Sequence, residues 1–400
     1  MTQHLDKVFW KIGLLSIAII SAGFMLIDDK YTILLLLINC LLQFYLSKKI
    51  HVDTESILLF IGMLAYGIGS KFTPYLTIKC TLLPFLFYFY GVSVLSSQNK
   101  ADREYRIKAL ILVLSLGMLL ESILNNTQWT PEYGRNWPEF WSGQFLPATQ
   151  HVFYNLCITG MIFYGVIYWR KNRLLNSILV LGGTYCLWYS LITASRMLVV
   201  IFALVLAANI ALYFYLNWNN KASHLYLYIL LAILLATAAL ICVLYVFNIG
   251  GFYDYMHSYM WTRDGGILHN VRFQAHLAVL KQLFKYPFGG KLMDLAGLEY
   301  AHNVWLDVAN SSGIFPFFLL TAYAALTLYN LIKLIRTQAI THETKYLLVS
   351  SYLSLFLFYM VETALEANIM LWAPWALVCG LIKGVQKENT ESVATKESNG

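Results

Sequence analysis

The chain has 400 residues, of which 59% are hydrophobic and only 12% are charged, and its mean hydropathy is +0.60. Soluble domains have roughly a quarter of their residues charged, so this composition excludes an ordinary soluble protein and indicates a polytopic membrane protein. The net charge of +7 does not indicate nucleic-acid binding, because most basic residues stand in short loops between apolar segments, as the positive-inside rule predicts. We expect membrane lipid, and no nucleic acid, around this chain.

Hydropathy predicts about twelve transmembrane helices, since each crossing takes about 20 mostly apolar residues. In chain order the candidate spans are Val8 to Ile27, Tyr31 to Leu46, Ser56 to Ser70, Tyr75 to Leu95, Ala109 to Leu124, His151 to Trp169, Leu174 to Thr193, Met197 to Leu216, Leu225 to Asn248, Gly313 to Ile332, Tyr346 to Ala364 and Ile369 to Val385. The prediction is an all-α fold with one polytopic membrane domain, residues 1–385, and a polar, disordered tail, residues 386–400.

Basic residues fix the predicted orientation, because Lys and Arg accumulate in cytoplasmic loops. The even-numbered loops carry clusters such as Arg103, Arg106 and Lys108, which puts that side and both termini in the cytoplasm. The two long polar segments, residues 125–150 and 250–312, then face outwards. We expect amphipathic helices in the second of these loops.

The cysteines do not indicate a metal or redox site. All six lie within apolar segments without CxxC spacing, so neither a disulfide framework nor a zinc site is predicted. No Gly-rich phosphate loop of the GxxxxGK[ST] type occurs either, which disfavours a nucleotide-driven pump. No metal and no cofactor is predicted.

The first unexplained charge is Arg196, in the sequence Thr193-Ala194-Ser195-Arg196 between two apolar runs. One interpretation is a topological anchor that reaches the membrane interface. However, Arg196 is predicted to lie on the outer side, where anchoring arginines are rare. A guanidinium beside the Ser195 hydroxyl and backbone donors suits a phosphate group, which favours a binding site.

The second is Arg272, in a segment that should form a helix from Val271 to Lys285. Asn270 is a plausible N-cap, and Pro287-Phe288-Gly289-Gly290 ends the segment. One face carries Arg272 and His276. The other carries Phe273, Leu277, Leu280 and Phe284. This pattern predicts a helix that lies at the membrane surface.

The third candidate is His302, which follows a Gly-rich segment and opens a helix into the next span. Helical spacing places Asn303 and Asp307 one turn apart on one face. A histidine at the outer membrane boundary near arginines, such as Arg263 in the same loop, is a reasonable general base for a hydroxyl group. The alternative is a purely structural histidine.

Some ionisable and aromatic residues have two interpretations each. Glu121 and Glu362 lie in or at the ends of spans, where such groups tend to be functional, but each could equally be half of an ion pair. Trp129, Trp137 and Trp141 resemble an interfacial aromatic belt, and sugar stacking is the alternative.

These segments, taken in order, carry a resemblance to a known family. Thr193-Ala194-Ser195-Arg196 is followed by Arg272 to Leu283, by Tyr286-Pro287-Phe288-Gly289-Gly290, and by Ala301-His302-Asn303-Val304-Trp305-Leu306-Asp307 running into Ser312-Gly313-Ile314. This arrangement resembles the O-antigen ligase and polymerase (Wzy/WaaL) superfamily.

The resemblance implies a GT-C-like, metal-independent, inverting glycosyltransferase at the outer face of a bacterial inner membrane. Its substrates would be undecaprenyl-diphosphate-linked glycans, and a chain-length regulator and a flippase are expected partners. Arg196 and Arg272 would grip the diphosphate, and His302 would take the proton of the acceptor hydroxyl. The expected substrate-binding residues are Ser195, Arg263, His276, Asn303 and Asp307.

Three functions remain open at this stage. The His-Asn-x-Trp-Leu-Asp form and the long loop favour a polymerase of O-antigen or capsular repeat units. The first alternative is a ligase that transfers finished glycan to lipid A core. The second is a polysaccharide transporter or flippase, which internal repeats would support, but no such repeat is evident.

Overall fold

The computed structural model describes residues 2–24, 29–47, 52–96, 98–193, 195–218, 271–362 and 371–398, with a few single positions between 228 and 253. Apart from those positions, the predicted span Leu225 to Asn248 and the first part of the 250–312 loop lie outside the described residues, and so does Arg263. For Arg196 the structure describes the backbone only.

The described chain is almost entirely helical, which confirms the all-α class. Its α-helices, numbered in chain order, are α1 (Thr2–Ile19), α2 (Asp29–Ser47), α3 (Thr54–Gly69), α4 (Pro74–Ser93), α5 (Lys100–Thr127), α6 (Ala148–His151), α7 (Leu156–Gly160), α8 (Ile162–Ile167), α9 (Arg173–Ile192), α10 (Arg196–Asn217), α11 (Val271–Gln282), α12 (Val304–Ser312), α13 (Ile314–Arg336), α14 (His342–Tyr359) and α15 (Trp372–Ser398). A π-helical turn (Ile20–Phe24) follows α1, and 3₁₀ turns cover Pro131–Tyr133 and Val152–Asn155. The strands β1 (Asn136–Pro138) and β2 (Phe145–Pro147) pair as an antiparallel hairpin.

Five of the described helices are long and apolar enough to cross a bilayer, namely α4, α5, α9, α10 from Met197 onwards, and α13. This finding agrees with an all-α membrane protein. Crossing a hydrocarbon core takes helices, because every backbone N–H and C=O must be paired within the segment. The larger number of spans expected from hydropathy remains a prediction.

Two segments differ from their predicted form. The expected span His151 to Trp169 is not one regular helix but the succession of α6, a 3₁₀ turn, α7 and α8. It is almost wholly buried, and a Ser122 hydroxyl bonded to Asn155 holds the 3₁₀ turn against α5. At the other end of the chain, α15 continues to Ser398 through residues whose composition predicts a disordered tail. Gln, Lys and Glu are good helix formers, which lets a helix already begun in the apolar segment extend.

The core draws buried residues from nearly all the described helices, and within it α15 and α4 approach each other closely at two glycines. A Cβ added at Gly380 would lie 2.2 Å from the Tyr88 carbonyl oxygen, and one at Gly91 would lie 2.7 Å from that of Leu377. Beside this contact, Trp372 and Trp375 of α15 form edge-to-face pairs with Trp305 of α12. Such aromatic packing fixes α12 firmly against the bundle.

Helices α10 and α14 pack antiparallel, and their register locates Arg196. The Asn209 amide donates to the Ser350 hydroxyl at 2.9 Å, and that of Asn217 donates to the Tyr346 hydroxyl at 3.5 Å. Arg196 stands 13 residues before Asn209, while α14 ends 9 residues after Ser350. At about 1.5 Å per residue, the backbone of Arg196 lies at the same end of the bundle as the end of α14.

Candidate functional site

Backbone hydrogen bonds join the segment that follows α11 to the end of α12 and the start of α13. Ile314 N donates to Pro287 O at 2.8 Å, and Gly290 N donates to Ser311 O at 2.9 Å. Gly313 has φ +94, and a Cβ there would lie 2.2 Å from the Pro287 carbonyl oxygen, so only glycine permits this approach. The Pro-Phe-Gly-Gly and Ser-Gly-Ile pieces of the sequence are therefore two halves of one contact.

The turn before α12 presents His302 in a left-handed backbone conformation, with φ +55. This conformation is uncommon for residues other than glycine and costs on the order of 1 kcal/mol, so the surroundings must impose it. Asp307 does so: its buried carboxylate accepts from Ala301 N at 2.6 Å and from Asn303 N at 3.2 Å. The two hydrogen bonds hold the backbone in place on either side of His302.

Asn303 fixes the same turn from the other side. Its side-chain oxygen caps α12 by accepting from Leu306 N at 3.3 Å, and its amide donates to Met360 O at 3.0 Å. Asn303 and Asp307 were predicted to bind substrate, and their one-turn spacing is as expected. In the structure both side chains bond to backbone groups around His302 and so help to position it, and their role in substrate binding stays a prediction.

We expect Asp307→Ala to lower the thermal stability of the purified protein. The substitution leaves the buried Ala301 and Asn303 amides without their acceptor, which costs about 1–3 kcal/mol for each. The unfolding temperature in lipid nanodiscs, followed by intrinsic fluorescence, measures this loss. Glu299→Ala is the matched control, since Glu299 is exposed in the same loop. Equal unfolding temperatures for the two variants would contradict the positioning role of Asp307.

The segment directly after α14, Met360 to Glu362, joins the pieces of the site. Met360 O accepts from Asn303, and Val361 O accepts from the Arg272 guanidinium at 3.4 Å. Glu362 is 6% exposed, and its Oε1 lies 3.6 Å from His302 Nδ1. Among the described residues, Glu362 Oε2 and His302 Nδ1 have no hydrogen-bond partner. The pair is therefore close enough for a small movement to join its two members.

His276 of α11 completes the cluster. Burial lowers the pKa of His276, and the nearby charges of Arg272 and His302 lower it further, against the opposing effect of the Ala301 and His302 backbone. Arg272 and His276 stand one helical turn apart on α11, and Arg272 bonds to the carbonyl of Val361, the residue before the Glu362 that faces His302. A lowered pKa favours the neutral form of His276.

Two of the three predicted catalytic residues, Arg272 and His302, are thus in one cluster. Arg196 begins α10 at the same end of the bundle, but its side chain is not described. Ser195 is buried; it is the N-cap residue of α10 without a capping bond, and its hydroxyl has no partner among the described residues. The first N–H groups of α10 are therefore not capped by the Ser195 side chain, which suits an anion.

Glu362 is the residue whose role the sequence did not reveal. It was one of several ionisable groups near span ends, with an ion pair as the alternative interpretation. The structure places its carboxylate beside His302, where it can orient the imidazole and stabilise the protonated ring. The available signal was only that a carboxylate at a span end is rare.

Helix α11 presents its apolar face away from the protein. Phe273, Leu277, Leu280 and Phe284 are all exposed, while Ala275, Val279 and Leu283 pack beneath against Ala301, Leu306 and Ala309. The described part of the helix ends at Gln282, three residues earlier than predicted, and the predicted N-cap Asn270 lies outside the described residues. An exposed apolar face next to a bilayer-crossing helix agrees with a helix at the membrane surface.

The fold and site define an all-α membrane protein with a guanidinium, a histidine and a histidine–carboxylate pair gathered at one end of its helices. In comparisons with known proteins, the chain matches no family model and no curated protein.

Proposed function

We propose that the chain is a glycosyltransferase that polymerises undecaprenyl-diphosphate-linked oligosaccharide repeat units into O-antigen or capsular polysaccharide. The proposal places it in a bacterial inner membrane, with both termini cytoplasmic and the site at the outer face. The observation that carries it is His302, held in a left-handed turn beside Glu362 and near Arg272. A base and a guanidinium at one point are what transfer from a diphosphate leaving group to a hydroxyl requires.

His302 acts as the general base. It takes the proton from the acceptor sugar hydroxyl while the hydroxyl oxygen attacks the anomeric carbon, and the bond from that carbon to the diphosphate oxygen breaks. The in-line displacement inverts the configuration at the anomeric carbon. Glu362 stabilises the imidazolium that forms and holds the ring in orientation, as the third member of a catalytic triad does.

Arg272 and Arg196 receive the diphosphate. Charge develops on the leaving oxygen as the glycosidic bond breaks, and positioned guanidinium donors stabilise it more in the transition state than in the ground state. The location of the Arg196 backbone at the level of the α14 end supports a shared site. Guanidinium groups take the electrostatic role on this mechanism, so activity is expected to persist in EDTA.

Glycan display in a strain that lacks the chain tests the proposal. If the chain is a polymerase, the surface polysaccharide of this strain is reduced to a single repeat unit, and complementation with the wild-type chain restores the ladder. Two other outcomes contradict a polymerase. Long glycan that accumulates on undecaprenyl diphosphate without reaching lipid A indicates a ligase. Lipid-linked single units trapped at the cytoplasmic face indicate a flippase.

A further inference from the structure

Two glutamate side chains, which come well before the His302 cluster in the sequence, are buried next to each other. Glu121 of α5 is 0% exposed and Glu139, in the loop between β1 and β2, is 1% exposed. One residue, Trp141, donates hydrogen bonds to both carboxylates, which places the two acids next to each other. Two carboxylates cannot both remain ionised at such a distance in a buried site without a strong penalty, so the pair holds a proton between them.

Trp141, at the tip of the hairpin loop, spans the two acids. Its indole N–H donates to Glu121 Oε2 at 2.6 Å, and its backbone N–H donates to Glu139 Oε1 at 2.9 Å. Asn125 joins from α5, donating to Glu121 at 3.1 Å and accepting from Phe140 N at 2.8 Å. The bonds from the Trp141 indole to Glu121 and from Phe140 N to Asn125 join the hairpin loop to α5, and the other two hold the two carboxylates in place.

The loop tip also rests on the π-helical turn after α1. The Trp141 indole donates to Ala22 O at 3.2 Å. Gly23 has φ +111, and a Cβ there would lie 2.0 Å from both Glu121 Oε2 and Trp141 Nε1. Only a glycine allows the tip to sit there. The acid pair is thus at the meeting point of α1, α5 and the hairpin.

We propose that Glu121 and Glu139 share one proton, and that this proton latches the hairpin, residues 136–147, onto α5 and the turn after α1. When the proton is lost, two buried negative charges repel each other. The hairpin loop then detaches from α5, and both carboxylates become exposed to water. The latch is a pH-sensitive device of the fold, and its test requires no substrate.

Hydrogen bonds around Glu139 distinguish it from its partner in the pair. Burial raises the pKa of Glu139, but hydrogen bonds from Glu121, from the Trp141 and Ser142 amides and from the Ser142 hydroxyl outweigh burial and lower it below the ordinary value. Glu139 is therefore the ionised member. Among the described residues, His151 of α6 and Tyr154 of the following 3₁₀ turn are the other titratable groups with an electrostatic interaction with the pair. Among the described residues of α1 and its turn, those in contact with the pair, Ala22 and Gly23, are not titratable.

The direction of the pH dependence follows from proton binding. The latched state binds one proton more than the released state, so the latch is stable at low pH and is lost as pH rises. Beyond the pKa of the pair, the equilibrium between latched and released hairpin shifts about tenfold for each pH unit. Acidification has the opposite effect and keeps the hairpin closed.

Hydrogen–deuterium exchange of the full chain in nanodiscs tests the latch. The measured region is residues 136–147, compared from about pH 6 to about pH 10 with labelling times corrected for intrinsic exchange. Wild-type protection there is expected to fall at least tenfold over this range, while α12 keeps its protection. In Glu121→Gln the amide carries the shared hydrogen at every pH, so the fall is expected to disappear.

Glu132→Gln is the matched control, because Glu132 is exposed in the same segment and should behave as wild type. Trp141→Phe removes the indole donor and is expected to lower protection at all pH values. Wild-type protection that does not change with pH overturns the proposal. A pH dependence that persists in both Glu121→Gln and Glu139→Gln overturns it as well.

Discussion

His302→Asn is expected to lower the rate of glycan transfer by about 10²–10⁴-fold, the range typical of a lost general base. Asparagine is the informative replacement because it tolerates the left-handed conformation that His302 adopts, whereas alanine adds backbone strain. The loss then reports on the imidazole and not on the turn. The measurement is the length distribution of surface polysaccharide in the complemented strain, with expression matched to wild type.

His342→Asn is the control for this substitution. His342 is exposed at the first residue of α14, at the end of that helix far from Glu362, and its replacement should leave the ladder unchanged. Thermal unfolding of both variants should match wild type, since no described hydrogen bond of the fold uses the His302 ring. A wild-type ladder from His302→Asn would remove His302 from the chemistry.

Arg272→Ala is expected to reduce transfer by about 10²–10³-fold, the effect of removing one donor that stabilises developing negative charge. Arg272→Lys should recover only part of the activity, because an ammonium keeps the charge but loses the planar, two-point bonding of a guanidinium to phosphate. The rate with saturating lipid-linked donor should fall more than the apparent affinity does, because the interaction is strongest in the transition state.

Lys281→Ala provides the comparison on the same helix. Lys281 is exposed near the end of α11, and its loss should affect neither rate nor ladder. If Arg272→Ala and Lys281→Ala give equal, small effects, Arg272 only contacts lipid headgroups. If Arg272→Lys is fully active, a positive charge alone is sufficient, and the proposed pair of guanidinium–phosphate hydrogen bonds is wrong.

The sequence predicted those features that depend only on residues close together in the chain. A helix over Val271 to Gln282 and the one-turn spacing of Asn303 and Asp307 follow from residue type and position alone. The sequence Pro287-Phe288-Gly289-Gly290 predicted the end of the α11 segment, but its contact with Gly313 could not be inferred. The all-α class followed from composition, since a chain this apolar has few alternatives.

Contacts between distant elements could not be inferred in this way. Nothing in the spacing of Glu362 indicates that it meets His302, because that meeting depends on how α12 and α14 pack. Asp307 shares a face with Asn303 as helical spacing requires, yet its partners are the amides of the preceding turn. The segment 151–169 is apolar enough for a span, but hydropathy does not detect the polar bonds of Asn155 that accompany its 3₁₀ turn.

The place of the Met360–Glu362 segment in the chain has a consequence for biogenesis. A growing chain emerges from its N-terminus, and helices enter the membrane in that order. His302 and Arg272 are then inserted before the carboxylate and carbonyls that align them have been synthesised. A nascent or prematurely terminated chain that stops before the Met360–Glu362 segment is therefore expected to be inert, because the groups that align His302 and Arg272 are missing from it.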